Sequence, residues 1–216
     1  MNCIAHGGSA NLVPENSMAK IRDAAAQHIK RIEYDISVAS DGVAVIFHDE
    51  SLRRTEGDPR AVLSLTNSEL IQIALITHHI CPTQYIPLAK NWMRVDADHD
   101  LFLHLEIKVH DQELQRVIDA TLDAFDRAGP GPLQLRIYSF WFDVIQLIHG
   151  YRSELHVGIA AVRLADVLEA LGVVSVYLDI DYLDCKAIES AIGRGFKVCI
   201  YSEFCEITRI LTVGSD

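Results

Sequence analysis

Three carboxylates, two imidazoles and an ammonium in the first half of this 216-residue chain have the types and spacing for polar chemistry. Glu33 and Asp35 stand two residues apart in a β-branched and aromatic run, and His48 follows a second such run, Val43 to Phe47. Side chains alternate along a strand, so Glu33 and Asp35 share one face. Asp41-Gly42 lies between the runs and predicts a two-residue type I′ turn, with Ser40 paired to Val43 and Asp35 opposite His48. Farther on, Leu101, Leu103, Leu105 and Ile107 alternate with Phe102, His104, Glu106 and Lys108. His6 ends the first apolar run, ahead of Gly7-Gly8. Gathered at one point, Glu33, Asp35 and Glu106 make a hard oxygen site suited to one divalent cation, Mg²⁺ or Ca²⁺. The same alternation also suits the wet face of a half-exposed hairpin, so chemistry follows only if several strands deliver these groups to one place.

The chain supplies such strands. Asn2–Ala5 predicts a short strand, Pro14-Glu15-Asn16 leads into a helix through about Gln27, and the hairpin follows. A helix starts near Asn67-Ser68-Glu69-Leu70 with Ser or Asn as its cap, and residues 77–100 hold turn formers and predict irregular chain. From Leu101 strands alternate with helices: LFLHLEIKV, Asp111–Arg127, LQLRIYSF, Trp141–His149, HVGIA, Arg163–Leu171, VVSVYLDI, Asp184–Arg194 and KVCIYS, then a last helix over about Phe204–Leu211. Alternating βα units imply a parallel sheet. The count gives seven parallel strands plus the hairpin arm. The expected fold is α/β: a (β/α)₈ barrel of the TIM type, with a β-hairpin arm after the second strand and the last strand missing or truncated. No linker divides residues 1–216, which predicts a single domain, and an open doubly wound sheet lacks its G-x-G-x-x-G signature. In such a barrel the chemistry gathers at the C-terminal ends of the strands, where His6, Glu33, Asp35, Glu106 and Lys108 fall.

Composition excludes several classes. The formal net charge of -11 disfavours nucleic acid and anionic membrane surfaces as partners. No 18-residue apolar run occurs, so membrane insertion is not expected. Cys3, Cys81, Cys185, Cys199 and Cys205 are odd in number and lack a C-x-x-C pair, which argues against a disulfide framework or zinc site and fits a reducing cytoplasm. Oligomeric state leaves no trace in the sequence.

Taken in order, His6-Gly7-Gly8, Pro14-Glu15-Asn16, Glu33-Tyr34-Asp35, Asp41-Gly42, His48-Asp49, Glu106-Ile107-Lys108 and Ser139-Phe140 resemble the motifs of the glycerophosphodiester phosphodiesterase family, in the wider group that includes phosphatidylinositol-type phospholipases. The resemblance implies metal-dependent hydrolysis of a small-molecule glycerophosphodiester to an alcohol and glycerol 3-phosphate. By it, Glu33, Asp35 and Glu106 hold the cation, His6 and His48 are general acid and base, and Lys108 contacts the phosphate. Phe140 and Tyr201 would line the substrate site. The family's arginine after the first histidine is Gly7 here, so one phosphate-binding cation is absent. That departure keeps open an alternative, a catalytically impaired barrel that binds a phospho-ligand or a protein. A lysolipid-cleaving enzyme would share the site and differ at its mouth. Outside the motifs, His104 is expected as a satisfied barrel-interior residue, Asp179 and Asp181 as solvated carboxylates, and Cys199 as a small buried hydrophobe.

Overall fold

A computed structural model describes residues 2–6, 13–76, 82–99, 101–110, 112–129, 135–161, 175–179, 185–201 and 209–213. Gly7, Cys81, Asp181, Cys205 and the expected helix Arg163–Leu171 lie outside them. The elements run β1 (Asn2–Ala5), α1 (Met18–Ala26), β2 (Arg31–Val38), β3 (Ala44–Ile46), α2 (Arg53–Glu56), α3 (Asn67–Leu70), β4 (Ala74–Leu75), β5 (Gln84–Tyr85) and α4 (Ala89–His99). They continue with β6 (Phe102–Ile107), α5 (Leu114–Ala128), β7 (Leu135–Ser139), α6 (Phe142–Tyr151), β8 (His156–Ala161), β9 (Ser175–Asp179), α7 (Cys185–Gly193), β10 (Lys197–Tyr201) and β11 (Arg209–Val213).

Strands β2, β6, β7, β8, β9 and β10 pair in parallel in that order, and β1 joins β2 in parallel through Ala5 and Ile32. Strand β11 lies between β10 and β1 and curls the sheet back on itself. The seven parallel strands match the expected barrel, and the last parallel strand is indeed missing among the described residues. Its place is filled by β11, which runs antiparallel to both neighbours, where a helix was expected over residues 204–211. A parallel crossover needs a dozen or more residues, and the stretch between Tyr201 and Arg209 is shorter than that, so a directly returning chain must run antiparallel.

Alternation sorts the barrel into two faces. Ile32, Tyr34, Ile36, Leu103, Leu105 and Ile107 pack outward against helices, meeting Val117, Ile118 and Phe125 of α5. The inward face carries Ile4, Tyr138, Ala160, Tyr177 and Cys199 as a small core of its own. A Cβ on Gly158 would lie 2.8 Å from the Tyr177 ring, so only glycine lets that ring cross the lumen here. A separate cluster of Val45, Phe47, Leu52, Leu65, Leu70 and Ile86 packs the hairpin arm and the segment after it beside the barrel mouth. Residues 89–99, expected as irregular, form α4 because Ala89, Trp92 and Met93 recur at helical spacing and are fully buried. The cap of α3 is Thr66, whose hydroxyl and Glu69 form a reciprocal capping box.

The hairpin turn differs from the expected one. Its register pairs Ile36 with Ile46 and Val38 with Ala44, and Ala39 N–H donates to Val43 O at 2.9 Å. Ser40, Asp41 and Gly42 therefore form a three-residue loop, with Gly42 at φ +77° as the left-handed residue. Asp41 keeps a negative φ, which excludes type I′, and its carboxylate accepts the Asn67 N–H at the start of α3. Pairing thus shifts by one residue, and Phe47 N–H, not His48, meets Asp35 O, at 3.0 Å.

Candidate active site

At the C-terminal end of the barrel, β2 supplies Glu33 and Asp35 and β6 supplies Glu106, with Asp35 and Glu106 as register partners. All three are buried, and each offers a carboxylate oxygen within 4.8 Å of the others. Three such charges in so small a space repel unless a cation stands between them. Lys108 supplies one charge: its ammonium binds a Glu106 oxygen and lies 3.2 Å from Asp35 Oδ1. Burial opposes charge on Lys108, but Asp35 and Glu106 outweigh it and push its pKa above the ordinary lysine value.

The carboxylates divide in behaviour. Burial raises Asp35, but Lys108, His48, His6 and the Asn16 hydrogen bond together hold it at about 2. Burial raises Glu106 and the Asp35 charge adds to it, against the pull of Lys108. Asp35 Oδ1 is buried and accepts no hydrogen bond of good geometry. An unfilled acceptor among three convergent carboxylates fits a divalent cation, with Glu33, Asp35 and Glu106 as the residues that would hold it.

Other groups fix these oxygens in place. Asn16 Nδ2 donates to Asp35 Oδ2 at 2.9 Å, and its Oδ1 accepts the Asp35 N–H at 3.3 Å. To do this Asn16 adopts φ +55°, a left-handed conformation that asparagine tolerates better than most residues. The Tyr138 hydroxyl donates to Glu33 at 2.9 Å and lies 3.3 Å from Glu106. Ser139 ties β7 to β6 by donating to Ile107 O at 2.8 Å.

The two histidines flank the carboxylates, and their pKa values are shifted in opposite directions. His6 Nε2 lies 3.7 Å from Glu33, and burial lowers its pKa despite Asp35 and Glu106. His48 Nδ1 donates to Asp49 at 2.5 Å, leaving Nε2 available. Burial works to lower His48, but Asp35 and the Asp49 hydrogen bond outweigh it and raise the pKa. Although the register puts Phe47 opposite Asp35, β3 ends at Ile46, and the chain beyond it still brings His48 to the carboxylates.

Arg54 anchors this arrangement. Its Nε and terminal nitrogen donate to Asp49 at 2.6 and 3.0 Å, and the guanidinium also binds Glu15. Pro14-Glu15-Asn16 thus holds Asp35 through one residue and His48 through another. The positioning roles of Asn16, Asp49, Arg54 and Tyr138 were not assigned from sequence. For Asn16 and Asp49 the signal was their place inside motifs; Arg54 and Tyr138 carried none. His110, set aside in the sequence, contacts Ser37 Oγ through Nε2 at 3.3 Å beside the site.

The remaining candidates are placed more loosely. Phe140 follows β7 at the mouth and is 41% exposed. Tyr201 ends β10 beside Asp179, and its side chain lies outside the described part of the structure, as does that of Asp179. His104 is fully buried in the barrel, as expected, though only its Nδ1 has a partner. Cys199 is a buried free thiol. Among the described residues no helix is long and apolar enough to cross a membrane.

Known proteins place this geometry. The chain shares 31% identity over 114 residues with glycerophosphodiester phosphodiesterase 1 of Mus musculus, covering 51% of this chain and 34% of that protein. A glycerophosphodiester phosphodiesterase of Caldanaerobacter subterraneus is 29% identical over 107 residues, covering 49% of this chain and 44% of the relative. The chain therefore spans less than half the length of these curated relatives. In fold it is similar to a phosphodiesterase of Oleispira antarctica solved with its product sn-glycerol-3-phosphate, with TM-score 0.81, 24% identity, and 93% and 84% of the two chains covered. A glycerophosphodiester phosphodiesterase from Thermotoga maritima superposes with TM-score 0.71 at 18% identity, over 93% of this chain and 85% of the other. Residues 6–202 match the glycerophosphoryl diester phosphodiesterase family over most of the chain's length, and the chain belongs to that family.

Proposed function

We propose that this chain, as one barrel domain over residues 1–216, hydrolyses glycerophosphodiesters to an alcohol and glycerol 3-phosphate. The observation that carries the reading is the meeting of Glu33, Asp35 and Glu106 within 4.8 Å, flanked by His6, His48 and Lys108. A divalent cation, Mg²⁺ or Ca²⁺, would be held by the three carboxylates and would neutralise charge on the phosphoryl oxygens. Lys108 would add its positive charge to the same phosphate. His6, whose pKa burial lowers, accepts the proton of the attacking oxygen, which is water or the neighbouring glycerol hydroxyl; in the second case a water then opens the cyclic phosphate to glycerol 3-phosphate. His48, whose pKa is raised, donates a proton to the departing alcohol oxygen. Asp49 keeps the His48 ring oriented, with Nε2 as the donating nitrogen. Phe140 and Tyr201 would line the glycerol side of the site, and the cysteine usage supports a cytoplasmic setting.

A second substrate class draws support from the mouth. Phe140, Trp141 and Phe142 are 41%, 52% and 40% exposed just beyond the C-terminal end of β7. Three consecutive exposed aromatics suit a leaving group with an apolar body, as in a lysolipid. The test is release of glycerol 3-phosphate from small polar glycerophosphodiesters, and of lysophosphatidate from lysophospholipids, each with and without EDTA. EDTA-sensitive release supports the enzyme reading, and the better substrate set distinguishes the two leaving groups. Tight glycerol 3-phosphate binding without turnover of any substrate would favour an impaired, ligand-binding barrel.

A further inference from the structure

The opposite end of the same barrel is lined with cations. Arg31 precedes Glu33 by two residues on the inward face of β2, and its register partner is Phe102. Arg136 pairs with His104, and Lys197 with Ser175. The Arg31 and Arg136 guanidinium carbons lie 5.0 and 5.2 Å from the centroid of the one Phe102 ring. Two guanidiniums gathered on one ring repel each other unless an anion stands near. Among the described residues neither arginine, nor Lys197, has a carboxylate partner. Glu33, the next acid along that face of β2, is engaged toward the mouth by Tyr138 and His6.

Three buried polar atoms at this end also lack partners: Arg136 Nε, His104 Nε2 and Ser175 Oγ. Their residues are 5%, 0% and 0% exposed. The Tyr177 hydroxyl lies 2.6 Å from His104 Nδ1, and where it donates to that nitrogen the ring proton sits on Nε2. Ser175 Oγ can donate or accept, His104 Nε2 donates in one of its two tautomers, and the arginines can only donate. A water molecule could accept from Arg136 Nε but would leave the guanidinium charges unbalanced, whereas an anion takes the hydrogen bond and balances the charge.

We propose that the base of the barrel binds one small inorganic anion, held by Arg136, His104 and Ser175 and admitted past Arg31 and the exposed Lys197 at the rim. The site is separate from the carboxylate cluster and needs no assumption about the reaction at the mouth.

Thermal unfolding of the whole chain tests it, with chloride replacing gluconate at constant ionic strength. The midpoint should rise saturably, by roughly 3–10 °C for millimolar affinity. Ser175→Ala and Lys197→Ala should each move half-saturation to ~5-fold or more higher chloride, and Arg136→Met should abolish the response. A rise with inorganic phosphate but not chloride supports the site with an oxyanion as occupant. A wild type that responds to neither anion, or identical responses in the Ser175 and Lys197 variants, overturns the proposal. Those two variants decide the matter if Arg136→Met does not fold. Bromide-soaked crystals should show an anomalous peak within hydrogen-bond reach of Arg136 Nε and His104 Nε2, and a peak only at Lys108 overturns the assignment.

Discussion

At the mouth of the barrel three buried carboxylates share one lysine, while at the base two arginines and a lysine share no described carboxylate. The two ends are divided by Tyr138 and Tyr177, whose rings stack with centroids 3.8 Å apart and 9° between planes. The Tyr138 hydroxyl turns to Glu33 and the Tyr177 hydroxyl to His104, so each phenol serves one end. At the mouth Asp35 Oδ1 has only the Lys108 ammonium, 3.2 Å away, and at the base Arg136 Nε has no hydrogen-bond partner. A buried polar atom without a partner costs on the order of 1–3 kcal/mol, and more when charged. The two proposals assign each end one ion, of opposite sign. The same strand alternation produces both ends, because residues two apart on β2 and β6 enter the lumen at different depths.

The largest effect should come from removing the cation at the mouth. EDTA should lower phosphodiester hydrolysis by ~10³-fold or more, because a divalent ion supplies several kcal/mol of charge stabilisation. Asp35→Asn should match that loss and resist rescue by added Mg²⁺ or Ca²⁺, while Lys197→Ala keeps both activity and EDTA sensitivity. Steady-state rates with and without chelator check this. Equal rates in both conditions would break the contrast between the two ends.

His6→Ala and His48→Ala should each lower turnover by ~10²–10⁴-fold without unfolding the chain. The pH profile sharpens the assignment. His6 works deprotonated and has a lowered pKa, so kcat/KM should fall as pH drops below that value. His48 works protonated and has a raised pKa, so kcat/KM should fall as pH climbs above it. His6→Ala should erase the acidic limb and His48→Ala the alkaline one. Loss of the opposite limbs would exchange their roles.

Much of this was legible in residue patterns, and the exceptions have physical causes. Alternation in β2 and β6 was enough to turn Glu33, Asp35, His104 and Glu106 inward and leave Leu103 and Leu105 to the helices. The βα rhythm gave seven parallel strands. The hairpin register was off by one because the Asp41 carboxylate is held by Asn67 at the start of α3, a tertiary contact that Asp-Gly alone does not reveal. Strand β11 was hidden because its direction depends on the number of residues before it, not on its own propensity. At the site, the groups aimed at a cation announced themselves by type. The groups that hold them did not: Tyr138 looked like a barrel aromatic, and Arg54 like a surface cation. The cations of the base were invisible because they come from separate strands, without a shared motif.

Smaller effects should come from the polar chain behind His48. Asp49→Asn keeps the shape but loses the charge that raises His48, so the alkaline limb should move to lower pH and turnover should fall ~10-fold.

Arg54→Ala acts one step farther out and should do less. Burial would raise the Asp49 pKa, but hydrogen bonds from Arg54 and His48 outweigh it and keep it low. Removing the guanidinium loosens Asp49 without removing it, so turnover should fall only a few-fold, about 2–5-fold, well under the effect of losing the general acid. Arg54 is 53% exposed, and solvent screening should confine the stability loss to about 1 kcal/mol or less. Arg54→Lys would restore charge but not the planar fork that binds Asp49 through two nitrogens, so it should recover stability before turnover. Melting curves and pH–rate profiles of both variants separate these effects. A loss in Arg54→Ala as large as in His48→Ala, expressed mainly as a higher KM, would change the assignment. Arg54 would then be a cation that grips the phosphate directly, at a site where the arginine expected after His6 is replaced by Gly7.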